Sequence, residues 1–350
     1  MQLLSVKKIL IAAMNFLAFV TGLMTAKRVW DKQVLDAIQL TDLNLPLAVS
    51  VISQQCKSDF CREEFTFHDR LGEQIPVLAM LPEGAERHPA IVFLYGSGMR
   101  MKVAEALAES VTRSGFALFV PEQFGRGTRR QFGLNPWQKI IALRHRILRT
   151  ITESRQLAYL VCNRADIDPR RIYLWGASFG AMTGCAVMAY DQHFQAAVFT
   201  LGGGNLQKLV ADTPFRKNIP RLSWLKVAAP LAATLLKPFD PIWHVGHIAP
   251  RPILFQNTRK DEIIPLSSMD ALHQAASSPK QIMWYDSMHD LKSTAAIEIL
   301  AHDALTWLQQ HDREIVRTRS KVDERRCRKE FNFNTYPGHE RRAECLWPSL

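Results

Sequence analysis

Short apolar runs alternate with longer helical stretches along most of this chain. The runs at residues 90–94, 117–120, 172–175, 196–200, 253–256 and 282–285 are too short for helices, and polar or small residues bound them. They predict buried strands. Helical stretches lie between them, which predicts an α/β fold: a mostly parallel, twisted sheet with helices on both faces. Two earlier runs, 64–68 and 77–81, flank Asp69-Arg70-Leu71-Gly72 and predict an antiparallel hairpin. The stretch 205–247 is richer in Pro, Trp and Leu than a plain crossover helix. It reads either as a small cap inserted over a pocket or as a long connection without a role in substrate choice.

The two ends of the chain break this pattern. Ile9 to Ala26 is apolar except for Asn15, Thr21, Gly22 and Thr25, with Lys7-Lys8 before it and Lys27-Arg28 after it. Eighteen residues at about 1.5 Å each make about 27 Å, just short of the roughly 30 Å hydrocarbon core. Residues 1–30 therefore read as a signal or membrane anchor, with a helix packed on the body as the other reading. A membrane-associated or exported protein is expected, and a cytoplasmic one is the alternative. Residues 31–62 read as a linker or N-terminal extension and 63–311 as the main domain. Residues 312–350 are basic, polar and without clear period, which predicts a disordered tail.

Length and charge narrow the picture further. A chain of 350 residues that is 47% hydrophobic can fill one large core. Much of its +11 charge falls between Arg126 and Arg155, where eight basic residues face one acid, Glu153. Such a stretch either attracts anionic substrates or lipid headgroups, or is a solvated helix face. The tail's aromatics do not alternate with basic residues as a base-stacking platform needs, so no nucleic-acid partner is expected. Cys56 and Cys61 are spaced for a small disulfide loop in an oxidising compartment. Cys162 and Cys185 fall in predicted helices as small hydrophobes, while Cys327 and Cys345 lie in the tail. No Cys-x-x-Cys or His-x-x-x-His occurs, so neither a metal nor a cofactor is expected.

The chemistry concentrates at Trp175-Gly176-Ala177-Ser178-Phe179-Gly180. An apolar strand precedes these residues and a small-residue helix follows, the context that a Gly-x-Ser-x-Gly turn needs to expose its serine. A hydroxyl is a weak nucleophile, so it requires a histidine base and a carboxylate that holds the histidine. In the order Ser, Asp, His, the candidates are Ser178, then Asp261 after the strand 253–256, then His289 after the strand 282–285. Glu262 and Asp240 rival Asp261, and His244, His247 and His273 rival His289. Ser178 itself has the rival reading of an ordinary helix N-cap. The amide of Phe179 is one candidate oxyanion donor. The other is the amide of Ser97, with Gly98 next in line, in Tyr95-Gly96-Ser97-Gly98 after the strand 90–94.

These motifs resemble the α/β-hydrolases, and more narrowly the dienelactone-hydrolase, acetyl-esterase and prolyl-oligopeptidase-like branch. The likeness rests on Asp168-Pro169-Arg170-Arg171-Ile172-Tyr173-Leu174 leading into the serine turn and Pro250-Arg251-Pro252-Ile253-Leu254 leading into the acid loop, and it covers roughly residues 63–311. It implies a serine hydrolase acting on a small-molecule ester, with a thioesterase or serine peptidase as alternatives inside the class. A membrane-tethered, non-catalytic binding protein is the alternative outside it. Tyr95 stands where many relatives carry histidine, and Ala181 follows Gly180 where a further glycine is common.

Overall fold

The apolar runs pair into one nine-stranded sheet in a computed structural model that describes residues 2–39, 48–57, 59–84, 86–213, 225–286 and 294–332. Its strands are β1 (Val49–Cys56), β2 (Phe60–His68), β3 (Gln74–Pro82), β4 (His88–Leu94), β5 (Ala117–Pro121), β6 (Ile167–Ala177), β7 (Phe194–Thr200), β8 (Ile253–Thr258) and β9 (Lys280–Tyr285). In space they run β1-β2-β3-β5-β4-β6-β7-β8-β9. Pairings from β1 to β5 are antiparallel, and from β5 through β9 all are parallel. All eight expected strands are present. The inner parallel strands read as apolar runs because both their faces are covered, and β5 and β8 are buried at every residue, whereas β9 at the sheet edge is partly exposed.

β1 had no signal in the hydrophobic pattern, since nearly all its residues face solvent and no alternation marks a buried side. Its ladder to β2 and a disulfide between Cys56 and Cys61, opposite each other in the register, hold it in place. The helices are α1 (Gln2–Gln39), α2 (Ala104–Arg113), α3 (Pro136–Cys162), α4 (Phe179–Tyr190), α5 (Leu206–Asp212), α6 (Leu225–Leu236), α7 (Leu266–Ala275) and α8 (Thr294–Asn332). α2 packs on β3 and β5, and α3 and α4 pack on β6. The α3 start is fixed by a reciprocal cap, in which Asn135 Oδ1 accepts from the Gln138 amide at 2.8 Å and Gln138 Oε1 from the Asn135 amide at 2.9 Å.

Residues 1–309 form one compact unit and residues 310–350 a second. α1 runs through the boundary expected at residue 30. Its second half is docked: Val34 and Ile38 are buried in the main core, and the Arg144 guanidinium stacks 3.6 Å over the Trp30 ring. Its first half leaves Ile11, Met14, Phe16, Leu17, Phe19 and Leu23 exposed. Among the described residues no helix is long and apolar enough to cross a membrane. At the other end, helix continues past residue 311 to Asn332, where Arg, Lys and Glu, all good helix formers, dominate the sequence.

Of the stretch 205–247, residues 214–224 lie outside the described residues, and the rest forms α5, α6 and short 3₁₀ turns. Asp240 ties its two ends, accepting from the amides of Asn205 at 2.9 Å and Leu206 at 2.8 Å.

Candidate active site

Ser178 is the single residue between β6 and α4, and its backbone sits at φ 53° and ψ −112°. Positive φ is unfavourable for a residue with a side chain, and such strain persists only where the surroundings impose it. Here they do. The Ser178 amide donates to the Thr200 carbonyl on β7 at 2.8 Å, and the Ser178 carbonyl accepts the helical bond from Met182 at 3.1 Å. A Cβ on Gly176 would overlap the Gly180 carbonyl, and one on Gly180 would overlap the Leu94 carbonyl of β4. The two glycines of the motif are therefore clearances between backbones. Ala181, in place of a further glycine, is accommodated because Gly202 faces it: a Cβ there would lie 3.0 Å from the Ala181 methyl. The Ser178 side chain makes no capping bond, so the N-cap reading finds no support.

The loop after β4 closes on the same point. A Cβ on Gly96 would stand 3.2 Å from Ser178 Cβ. The Met99 amide donates to the Gly96 carbonyl at 3.1 Å, a turn that leaves the Ser97 and Gly98 amides outside its closing bond. The Phe179 amide, first in α4, has no intrahelical acceptor. Tyr95 turns away from this edge. It is fully buried, its hydroxyl accepts from the Gln123 amide at 2.9 Å, and burial pushes its pKa up to about 12. The residue at the usual histidine position is thus a neutral core side chain.

The acid candidates differ in their surroundings. Asp261 follows β8, is 7% exposed, and one carboxylate oxygen accepts from the amides of Ile263 at 2.8 Å and Ile264 at 2.7 Å. Glu262 is exposed. Asp240 is committed to the α5 amides, and burial raises its pKa. His289 lies outside the described residues. β9, which leads to it, ends at Tyr285 beside β8. Its rivals have other occupations. His244 is buried with Nε2 2.8 Å from the Pro238 carbonyl, and desolvation lowers its pKa. His273 packs 4.8 Å from the Phe255 ring with Nε2 3.0 Å from Asn257 Oδ1, and burial lowers its pKa to about 4. His247 is an exposed residue of the 3₁₀ turn before β8. The serine turn and the Gly96 loop meet at the carboxyl edge of the sheet, and the Asp261 loop leaves the same edge, as open parallel sheets require.

Two supports escaped the sequence reading. The Trp175 indole donates to Thr200 Oγ1 at 3.0 Å, and Thr200 Oγ1 donates to Gln256 Oε1 at 2.7 Å. Gln256 Nε2 then donates to the Tyr285 hydroxyl at 3.0 Å, so one buried polar chain ties β6, β7, β8 and β9 beneath the site. The signal was Gln256 and Thr200, polar residues directly after the apolar runs 253–255 and 196–199. The second support is Gly202-Gly203-Gly204, where a Cβ on Gly203 would stand 2.6 Å from Ile264 of the acid loop. Three successive glycines after a strand mark such a close approach.

Four arginines of the basic stretch have acidic partners. Arg129 pairs with Glu153 at 2.7 Å and Glu73 at 3.0 Å, and Arg149 with the same two acids at 2.7 and 2.8 Å. Arg144 faces Asp31 at 3.8 Å and Arg155 faces Asp191 at 3.7 Å. Arg146 has a different environment. Its guanidinium lies 4.0 Å over the Phe179 ring, with Nη2 donating to Gln123 Oε1 at 2.8 Å.

Known proteins resemble this arrangement. A profile of the prolyl oligopeptidase family matches residues 154–314. Esterase YjfP of Escherichia coli (strain K12) is 23% identical over 210 residues, 58% of this chain and 81% of that protein. Acetyl xylan esterase 1 from Thermoanaerobacterium sp. JW/SL YS485 superposes with a TM-score of 0.62 at 19% identity, over 79% of this chain and 93% of the other. A cold-adapted esterase from an Arctic intertidal metagenomic library gives 0.55 at 17% identity, over 75% and 98%. The fold is that of the α/β-hydrolases, and the expected resemblance holds.

Proposed function

We propose that this α/β-hydrolase-fold chain is a serine hydrolase of small carboxylic esters, working through an acyl-enzyme. The strained backbone of Ser178 carries the reading: it lifts a hydroxyl to the sheet edge at a cost that a merely structural serine has no reason to bear. In this reading His289 takes the Ser178 proton as the hydroxyl attacks the carbonyl, and Asp261 orients the imidazole. The amides of Phe179 and Ser97, with Gly98 next in line, receive the oxyanion. The same histidine then activates the water that releases the acid. The likeness to an acetyl xylan esterase and to other esterases makes acetyl and other short-chain esters the first substrates to try.

Labelling by a fluorophosphonate, with matched p-nitrophenyl esters, thioesters and anilides, tests the reaction class. Ester turnover is expected to exceed the other two. Absence of both labelling and turnover would leave the non-catalytic binding protein. The pH profile tests the base. His289 must be neutral to accept a proton, and an ordinary histidine has a pKa of about 6.5. The value of kcat/KM is therefore expected to fall with unit slope as pH drops through the pKa of His289 itself. A flat profile from pH 5 to 8 with chemistry rate-limiting removes the histidine base.

The first half of α1 supports a second partner. Successive residues turn by about 100° in a helix, so Ile11, Met14, Phe16, Leu17, Phe19 and Leu23 point to all sides. A helix that is apolar all round wants cover, and the flanking Lys7, Lys8, Lys27 and Arg28 suit an anionic lipid surface. We read this segment as membrane-associated. The full chain is expected to sediment with membranes and to be released by detergent but not by salt. A chain starting at Trp30 keeps the docked part of α1 and is expected to stay in solution with its turnover intact. Aggregation of that shorter chain, with the full chain soluble without detergent, would assign the segment to the hydrolase core instead.

A further inference from the structure

Arg146, on α3, is the guanidinium that the nearby carboxylates leave out. It is only 9% exposed, yet among the described residues no carboxylate lies within ion-pair distance. Nη2 donates to Gln123 at 2.8 Å, Nη1 reaches Ser97 Oγ only at 3.4 Å, and Nε is buried with no acceptor. A guanidinium has five N–H groups, so most of its donor capacity is unused. The neighbouring charge is a second cation, Arg126, whose own Nε is also buried without an acceptor. Burial, reinforced by Arg126, lowers the Arg146 pKa to about 10, which leaves it charged at neutral pH. A buried cation without a counter-ion is costly, and an apolar side chain of the same volume would fill the space without that cost.

The position of this charge says what it faces. Its central carbon lies 4.0 Å from the centroid of the ring of Phe179, the residue after the nucleophile, and its Nη1 is 3.4 Å from Ser97 Oγ in the oxyanion loop. An anion held there would lie a few bonds from the carbonyl under attack. We propose that Arg146 receives a carboxylate of the substrate, so that the preferred ester carries an anionic acyl group; this rests on the serine-esterase reading of Ser178. The planar fork of a guanidinium suits a carboxylate in two-point contact, which a lysine would not match.

The test compares monomethyl glutarate with methyl pentanoate, a neutral ester of the same acyl length, by proton release. The wild-type protein is expected to favour the anionic ester in kcat/KM by about tenfold or more, the scale of one hydrogen bond to a charged group. Arg146→Gln is expected to lower that ratio at least about tenfold, and Arg146→Lys to restore part of it. A purely structural role would depress both esters together and leave the ratio unmoved. Calorimetric binding of glutarate to the wild-type protein needs neither turnover nor a folded variant, and micromolar to low-millimolar binding is expected. A ratio at or below one with methyl pentanoate still hydrolysed, or no binding of glutarate, overturns the carboxylate site while the esterase reading stands. Glutarate binding that Arg146→Gln abolishes, in a protein that neither labels with fluorophosphonate nor hydrolyses either ester, upholds the anion site and strikes the esterase reading instead.

Discussion

Ser178→Ala is expected to abolish fluorophosphonate labelling and to lower ester turnover on the order of 10⁶-fold, the scale seen when a triad nucleophile is removed. The loss would be chemical. Alanine keeps the Cβ that the Gly96 loop packs against. It meets the same positive φ, so the strain is neither relieved nor increased. The amide that donates to the Thr200 carbonyl is unchanged, and the serine side chain makes no helix-capping bond that could be lost. The thermal midpoint should therefore move little. Turnover that persists in this variant, after purification away from wild-type enzyme, would remove Ser178 from the mechanism.

The serine turn was readable because its two glycines record steric facts. Each stands where a carbonyl of another backbone segment occupies the space of a side chain, and that constraint is local enough to survive as a five-residue spacing. The buried strands were readable for a similar reason, since a strand covered on both faces tolerates few polar residues. What the sequence concealed depends on partners far along the chain. The arginines of α3 look like an uncompensated basic patch, yet their acids are Asp31, Asp69, Glu73 and Asp191, supplied by α1, the β2–β3 turn, β3's approach and the end of α4. β1 was hidden by having no buried face, and the docked half of α1 by its continuity with an apolar stretch that overshadowed Val34 and Ile38. Arg146 was hidden among its neighbours, because a single sequence does not show which basic residues have an acid within reach and which do not.

Asp261→Asn is expected to lower kcat by about 10⁴-fold, as the same exchange does in the best-studied serine triad. Asparagine retains a carbonyl oxygen that can accept the Ile263 and Ile264 amides, so the loop after β8 should keep its shape. The other oxygen becomes an NH₂ group. A donor placed against the histidine ring favours the tautomer whose proton sits on the nitrogen that should face Ser178, and that nitrogen can then no longer act as the base. Glu262→Gln provides the contrast, because Glu262 is exposed and its carboxylate has no comparable set of amide donors. Its turnover is expected within about twofold of wild type, in line with surface substitutions that leave packing untouched. The measurement is kcat on the best short-chain ester for both variants, with thermal midpoints confirming that each is folded. A crippled Glu262→Gln beside a mild Asp261→Asn would shift the acid by one residue and place the buried carboxylate of Asp261 in a purely structural role, bracing the loop through the two isoleucine amides.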